Sequence, residues 1–313
     1  VSRLLVTGAD GFVGRWLVRA ARAAGHHVVA AIAPGGALPA TWLSAEEMPG
    51  CEAVEADLRD PDGISLLAAT EPEAVVHLAA VASGAAARQD PAGAWALNAG
   101  ATAALADALA HGSRPTFLLV STGEVYGRDH GGPIPESALP APCSPYAASK
   151  VGAEVAALEV RRRTGLPVVI ARPFPHTGPG QAPIYVLAAL AARLRLAAAA
   201  GATEVTVGNL APVRDLLDVR DVAQAYLALL AKGVSGEVYN VASGTGHRLS
   251  DCFDMLARLA GTTARPVQDA SLLRAADLPI LIGDPTRIRT TTGWLPRISL
   301  DRTLQDLVYA QAH

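Results

Sequence analysis

Thr7-Gly-Ala-Asp-Gly-Phe-Val-Gly14 decides how this chain folds. The run follows a short apolar segment, Val1 to Thr7, that reads as a buried strand. It opens a helical stretch from Gly11 to Ala24, which stops at Gly25. Each of Gly8, Gly11 and Gly14 has a purpose at such a junction: a tight turn, room for a ligand to approach the backbone, and close contact between helix and strand. The unpaired N–H groups of a helix start, together with the helix dipole, favour an anion. At the first strand–helix junction of an alternating chain, that anion is a dinucleotide pyrophosphate.

Outward from this loop the same pattern repeats. Val28 to Ala33, Glu52 to Glu55, Ala74 to Ala80, Thr116 to Ser121 and Pro167 to Ala171 are short strand-like runs. Several carry the β-branched or leucine-rich composition of fully buried parallel strands. Helical stretches lie between them, notably Ala92 to Ala110 and the run from Tyr146 through Val151 to Arg163. This alternation predicts an α/β chain with a Rossmann-type, doubly wound parallel sheet. After Pro173 the pattern loosens, with Pro and Gly clustered as far as Pro183. The division expected is a dinucleotide-binding domain over residues 1–172 and a smaller C-terminal α/β substrate lobe over 173–313. Some segments of the second part are expected to return to the first.

Composition narrows the function classes. The chain has 313 residues, is 50% hydrophobic and carries a net charge of −3, so it has neither the basic footprint of a nucleic-acid binder nor a charged tail. Cys51, Cys143 and Cys252 are far apart and odd in number, which indicates neither a disulfide framework nor a metal site. The apolar stretch Tyr185 to Ala200 contains Arg193 and Arg195 and is too short to span a bilayer. No charged-then-apolar leader is recognisable, and a reducing cytoplasm is the expected location.

The chemistry is carried by Ser144-Pro-Tyr-Ala-Ala-Ser-Lys150. Tyr146 and Lys150, four residues apart, share one helix face, where the ammonium is expected to lower the phenol's pKa. A tyrosine so tuned exchanges a proton with a substrate oxygen near neutral pH. Thr122, at the end of an apolar strand, precedes the pair, and the glycine loop precedes both. Tyr-x-x-x-Lys alone is an ordinary exposed pair; the three signals in this order point to an enzyme.

The Gly-x-x-Gly-x-x-Gly spacing, in its Thr-Gly-x-x-Gly-Phe-x-Gly form, resembles the nucleotide-sugar enzymes of the extended short-chain dehydrogenase/reductase family, the NAD-dependent epimerases and dehydratases. The resemblance covers essentially the whole chain. It implies that Gly8, Asp10, Gly11, Phe12, Val13 and Gly14 hold the cofactor with Asp57, Leu58, Leu78, Ala79, Ala80, Asn98 and Pro173. Asp57-Leu58 would meet the adenine, Leu78-Ala79-Ala80 the nicotinamide ribose, and Asn98 would order the centre of the site. His77 reads instead as a packed, hydrogen-bonded residue. The second strand of relatives usually ends on an acidic residue that binds the ribose of NAD. Here that position is Ile32, followed by Ala33-Pro-Gly, so NAD and NADP both remain open.

Ser121-Thr-Gly-Glu-Val-Tyr-Gly127 resembles the segment bearing the family's catalytic hydroxyl. The resemblance implies that Thr122 bonds the sugar C4 oxygen, Tyr146 exchanges its proton, and Lys150 anchors the nicotinamide ribose and keeps Tyr146 acidic; Thr122 also reads as a strand-end cap. Related 4,6-dehydratases use the two residues after the hydroxyl residue to eliminate water. Here these are Gly123, which has no proton to give, and Glu124, which is catalytic, or caps a turn, or binds a sugar hydroxyl.

Substrate contacts are expected from Ser83, Thr122, His176, Gln181, Arg214 and Arg287. Arg172-Pro-Phe-Pro-His-Thr-Gly-Pro-Gly-Gln181 resembles a motif of GDP-sugar dehydratases and 4-keto-reductases, with Pro175 where those proteins commonly have asparagine. His176 either lines the sugar pocket or is a loop histidine bonded to backbone. Arg214, in Val213-Arg-Asp-Leu-Leu-Asp-Val-Arg-Asp-Val222, suits a diphosphate through its planar fork. Asp218 and Asp221 read as lobe fasteners and helix caps. Arg274-Ala-Ala-Asp-Leu-Pro-Ile-Leu-Ile-Gly-Asp284 looks like the reductase branch, and Arg287 reads either as a diphosphate ligand or as a surface residue. The function expected is NAD(P)-dependent reduction of a nucleotide-activated 4-keto-6-deoxy sugar, GDP-linked by preference, with a 4-epimerase as the alternative and a 4,6-dehydratase or a non-catalytic dinucleotide sensor as lesser ones. A homodimer through the alanine-rich helices is expected as well, although alanine equally suits helices packed on the sheet.

Overall fold

The computed structural model describes residues 2–37, 50–128, 130–273 and 278–309. The chain opens with β1 (Arg3–Thr7), α1 (Phe12–Ala23), β2 (His27–Ile32) and β3 (Cys51–Glu55). Then come α2 (Pro61–Ala68), β4 (Ala74–His77), α3 (Gly84–Gln89), α4 (Pro91–Trp95), α5 (Ala101–His111), β5 (Thr116–Val120), α6 (Pro145–Thr164) and β6 (Val168–Pro173). The later part comprises β7 (His176–Thr177), α7 (Val186–Ala200), β8 (Glu204–Val207), β9 (Val213–Asp215), β10 (Leu217–Asp218) and α8 (Val219–Lys232). It ends with β11 (Val238–Val241), β12 (Gly246–Arg248), α9 (Leu249–Leu259), β13 (Arg265–Gln268), β14 (Ile280–Leu281), α10 (Thr286–Thr292) and α11 (Leu300–Tyr309).

Among the described residues, seven strands form one parallel sheet in the order β11-β6-β5-β4-β1-β2-β3. This is the doubly wound sheet expected from the alternation. Successive side chains of a strand face opposite ways, and the core splits accordingly. Leu4, Val6, Leu118 and Val120 join α1 and α8 on one face, while Leu5, Phe117 and Leu119 join α2, α5 and α6 on the other. Strand order reverses between β1 and β4, and ligands of such sheets bind beyond the carboxyl ends of the strands at that switch.

Residues after 173 divide between two places. β11 pairs with β6 and α8 packs on α1, both within the main sheet unit. α7, α9 and α11 bury their own cluster around Leu190, Leu194, Phe253 and Leu304. Asp218 caps α8 through the Arg220 N–H, and Thr303 donates to its other oxygen at 2.8 Å. Asp221 accepts from the Arg297 and Ile298 N–H groups. The two aspartates thus fasten α8 to the end of the chain.

Two elements differ from their sequence reading. The helix expected over Ala92 to Ala110 is interrupted by a π-helical turn at Ala96–Gly100 between α4 and α5. That turn carries Asn98, whose side chain is buried and fully used, a frequent association of π turns with functional sites. The strand expected from Ala74 to Ala80 ends at His77. Beyond it the Ala79 N–H donates to the Thr7 hydroxyl at 3.1 Å instead of a ladder carbonyl, and Leu78–Ala80 leave the sheet as a loop.

Candidate active site

The glycine loop is built for close approach. Gly8 has φ +67°, and a β-carbon there would stand 3.0 Å from the Ala79 backbone. A β-carbon on Gly14 would lie 2.1 Å from the Gly8 carbonyl oxygen, so only glycine lets α1 start this near β1. Gly11, at the helix N-cap, supplies no side-chain cap. The first N–H groups of α1 are therefore presented to the cleft, a fit to the pyrophosphate of a dinucleotide.

This loop borders a cleft of about 840 Å³ that runs over the sheet's carboxyl edge. Lining it from the cofactor set are Gly8, Asp10, Gly11, Phe12, Val13, Gly14, Asp57, Leu58, Leu78, Ala79, Ala80 and Pro173. The same cleft takes Thr122, Glu124, Tyr146, Lys150, His176, Gln181 and Arg214. Asn98 stands behind the wall: its Oδ1 accepts from Val81 N–H at 2.7 Å, and its Nδ2 donates to Ser149 Oγ at 2.9 Å. It ties the loop after β4 to α6, the helix of Tyr146 and Lys150. Ser83 caps α3 next to the wall residue Ala82, outside the lining. Arg287 is also outside: Nη1 donates to Glu237 at 2.6 Å, and Nε stands 3.7 Å from Glu136. Its position is that of the surface reading. Arg274 to Asp277 lie outside the described residues, and Leu281, from the same motif, reaches the cleft.

Ser144 caps α6 through the Ala147 N–H, with Pro145 in the first turn, and this start fixes where Tyr146 and Lys150 project. Thr122 does two things at once. Its hydroxyl accepts from Glu124 N–H at 3.2 Å, capping the turn, and it hydrogen-bonds Tyr146. The expected acidification of Tyr146 is corrected by this geometry. Burial and then the Glu124 charge push its pKa up, and only the Thr122 bond pulls it down. Lys150 is buried too, which lowers its pKa to about 8 against the opposing pull of Glu154.

Glu154 is a residue that sequence reasoning missed. Its carboxylate accepts a fork from Arg172 at 2.9 and 2.6 Å and the Ser121 hydroxyl at 2.5 Å. The ends of β5 and β6 are thereby pinned to α6 one turn beyond Lys150. The available signal was a carboxylate four residues after Lys150, among the alanines Ala147, Ala153 and Ala157 of the same helix. His77 is a packed residue. Thr102 donates to Asn98 O and so accepts Nε2–H at 3.0 Å; in the neutral ring Nδ1 then accepts the Thr7 hydroxyl at 2.8 Å. Burial, followed by the Lys150 charge, holds its pKa down to about 3, so the ring is neutral.

On the lobe side, His176 Nδ1 donates to the Phe174 carbonyl at 2.9 Å, and its ring lies parallel to Phe12 at 6.4 Å. His176 thus bonds backbone, as the loop reading has it, and it also lines the shared cleft. Gln181 donates to His176 O and accepts from Thr177. Gly123 is closely covered: a β-carbon there would meet three Phe174 ring atoms at 3.1 Å. Tyr185, Leu190, Arg193, Asn209 and Tyr226 also line the cleft without any sequence motif having marked them. Among the described residues no group of three or more His, Cys, Asp or Glu is arranged to hold a metal, and no helix is long and apolar enough to cross a membrane.

The model of the "NAD dependent epimerase/dehydratase family" matches residues 4–242. The chain belongs to that family. It is 37% identical to the GDP-6-deoxy-D-mannose reductase of Pseudomonas aeruginosa, over 98% of this chain and 96% of the relative. A UDP-glucose 4-epimerase of Mycolicibacterium smegmatis is 33% identical over 95% of each. Among solved structures, RMD from Pseudomonas aeruginosa complexed with NADPH has a TM-score of 0.83 and 35% identity, covering 98% of both chains. Membership makes this chain an NAD(P)-dependent enzyme, and the glycine loop described above fits that cofactor.

Proposed function

We propose that the protein reduces the 4-keto group of a nucleotide-activated 6-deoxy sugar, with GDP as the preferred nucleotide. Bound NAD(P)H supplies the hydride for C4. Tyr146 delivers the proton to the C4 oxygen and Thr122 hydrogen-bonds that oxygen. Lys150 holds the nicotinamide ribose, Asn98 fixes the wall between them, and Arg214 takes the diphosphate. Asp57, Leu58 and Leu78–Ala80 border the remainder of the cofactor.

The observation that carries this reading is the pairing of an intact Thr122–Tyr146–Lys150 set with a bare Gly123 under Phe174. Hydride transfer is equipped; eliminating water has Glu124 but no donor at position 123. The GDP-6-deoxy-D-mannose reductase likeness supports the GDP-linked substrate.

A 4-epimerase is the second reading, favoured by the likeness to the UDP-glucose 4-epimerase and by the same hydride residues. Cofactor retention separates the two. An epimerase returns its hydride and keeps NAD, whereas a reductase exchanges its cofactor every turn. Incubation with a panel of nucleotide sugars and 4-keto sugars, with either reduced cofactor, followed by product analysis, tests the assignment. A homodimer in the cytoplasm completes the proposal. Trp95 of α4, 46% exposed, and Val155 of α6, 61% exposed, supply an apolar helical face for a second copy.

A further inference from the structure

Tyr226, on α8, is wholly buried, yet its hydroxyl has no hydrogen-bond partner among the described residues. Leaving a buried phenol unbonded is costly, and buried tyrosines normally find a partner. Two others in this chain do. Tyr126 Oη donates to Asn240 at 2.8 Å, and Tyr239 Oη accepts the Val234 N–H at 3.0 Å. Tyr226 differs from them in lining the cleft.

Its place in the fold narrows what it meets there. Helix α8 packs against α1, β5 and β6, and Tyr226 belongs to the same buried apolar cluster as Ala9, Val120 and Ala171. Ala9 sits in the glycine loop; Val120 precedes Ser121 and Thr122. The phenol lines the cleft shared by the glycine loop and the Thr122–Tyr146 pair, within electrostatic reach of Tyr146. For hydride transfer to the carbon whose oxygen Tyr146 protonates, the nicotinamide ring must occupy this stretch. The ring's polar substituent is a carboxamide, with both a donor and an acceptor to offer a hydroxyl.

We propose that the Tyr226 hydroxyl hydrogen-bonds the nicotinamide carboxamide of the bound dinucleotide and sets the ring's orientation in the cleft. The proposal rests on the dinucleotide site argued above.

Tyr226→Phe tests it, because phenylalanine keeps the packing and deletes only the hydroxyl. Binding of NADPH, NADH and 2′-phospho-ADP-ribose, which lacks the nicotinamide, is measured by calorimetry for both proteins, beside the ligand-free melting temperature. The expected result is NADPH and NADH binding weakened about tenfold, the loss of one hydrogen bond. The affinity for 2′-phospho-ADP-ribose stays unchanged, and the ligand-free melting temperature stays equal or rises. Unchanged NADPH affinity would overturn the proposal, as would equal losses for the fragment or a lower ligand-free melting temperature, which would place the hydroxyl's partner inside the protein. A wild-type protein that binds none of the three ligands would defeat the dinucleotide reading itself, before any variant is made.

Discussion

The Phe174 ring lies directly over Gly123, with three ring atoms 3.1 Å from the point a β-carbon at 123 would occupy. The contact explains why the residue after Thr122 carries no side chain. It also predicts that GDP-mannose with NADP accumulates little keto sugar. A positioned acid contributes about 10²–10⁴-fold, and dehydration here lacks one. Gly123→Asp alone should lower the melting temperature through collision with Phe174, and a smaller residue at 174 should restore it. Rapid keto-sugar formation by the wild type, read as absorbance in alkali, would show that Glu124 suffices.

Tyr146→Phe should fold and bind NADPH normally while losing about 10²–10⁴ in turnover, the usual effect of deleting a general acid. Calorimetry for binding and steady-state rates for turnover check the two halves. Near-wild-type rates would remove Tyr146 from the chemistry.

Lys150 titrates at about 8 rather than 10.5 because it is buried. As pH rises through about 8 its charge is lost, so cofactor affinity should fall there. Stability should move the opposite way. Between about 8 and 10.5 the unfolded chain binds the proton that the folded chain has released, so this lysine's contribution to stability grows with pH. Lys150→Met should therefore melt higher than wild type at neutral pH, with the gap closing toward pH 10.5. A gap independent of pH would contradict the buried-cation account.

Arg59 lines the cleft with Ile32, Ala33 and Pro34; β2 itself ends on Ile32 rather than on a carboxylate, although Asp10 and Asp57 line the same cleft. Its Nε and Nη2 fork onto Asp57 at 3.0 and 2.8 Å, and this fork is the main reason the Asp57 carboxyl is held down at about 2. The arrangement predicts NADPH over NADH. Arg59→Ala should weaken NADPH by about tenfold, as for a charge-assisted bond, and leave NADH little changed. Equal affinities in the wild type would count against it.

The alanine-rich face of α4 and α6 predicts a dimer at micromolar concentration. Trp95 packs across α6 at Gly152, where a β-carbon would come within 2.4 Å of the ring, and it remains partly exposed. Light scattering giving a monomer mass would refute it.

The sheet was legible because local and tertiary preferences agree along it: the buried runs, the helix stops and the glycine loop all carry short-range signals. Tyr146, Lys150 and Thr122 were legible because their spacing is fixed within one helix turn and one strand end. Glu154 and Tyr226 were not, because each acquires its meaning from groups far along the chain: Arg172 for the first, and the cleft lined also by the glycine loop for the second. The raised pKa of Tyr146 was missed for a related reason. A helical i to i+4 pair predicts attraction between two side chains but not how deeply both are buried or that Glu124 faces the phenol. Arg287 shows the converse, since a cation near a motif has no direction until α10 turns it toward Glu237.

The central claim is net reduction at C4, and the most direct measurement follows one turnover set with both products counted. Purified protein is mixed with GDP-4-keto-6-deoxymannose and a known excess of NADPH. Oxidised cofactor and GDP-linked 6-deoxyhexose are then quantified together by chromatography. The account predicts one oxidised cofactor for each 4-hydroxy sugar formed, over many turnovers per protein. Formation of a C4 epimer from an intact nucleotide hexose, with the cofactor retained and none consumed, would contradict it.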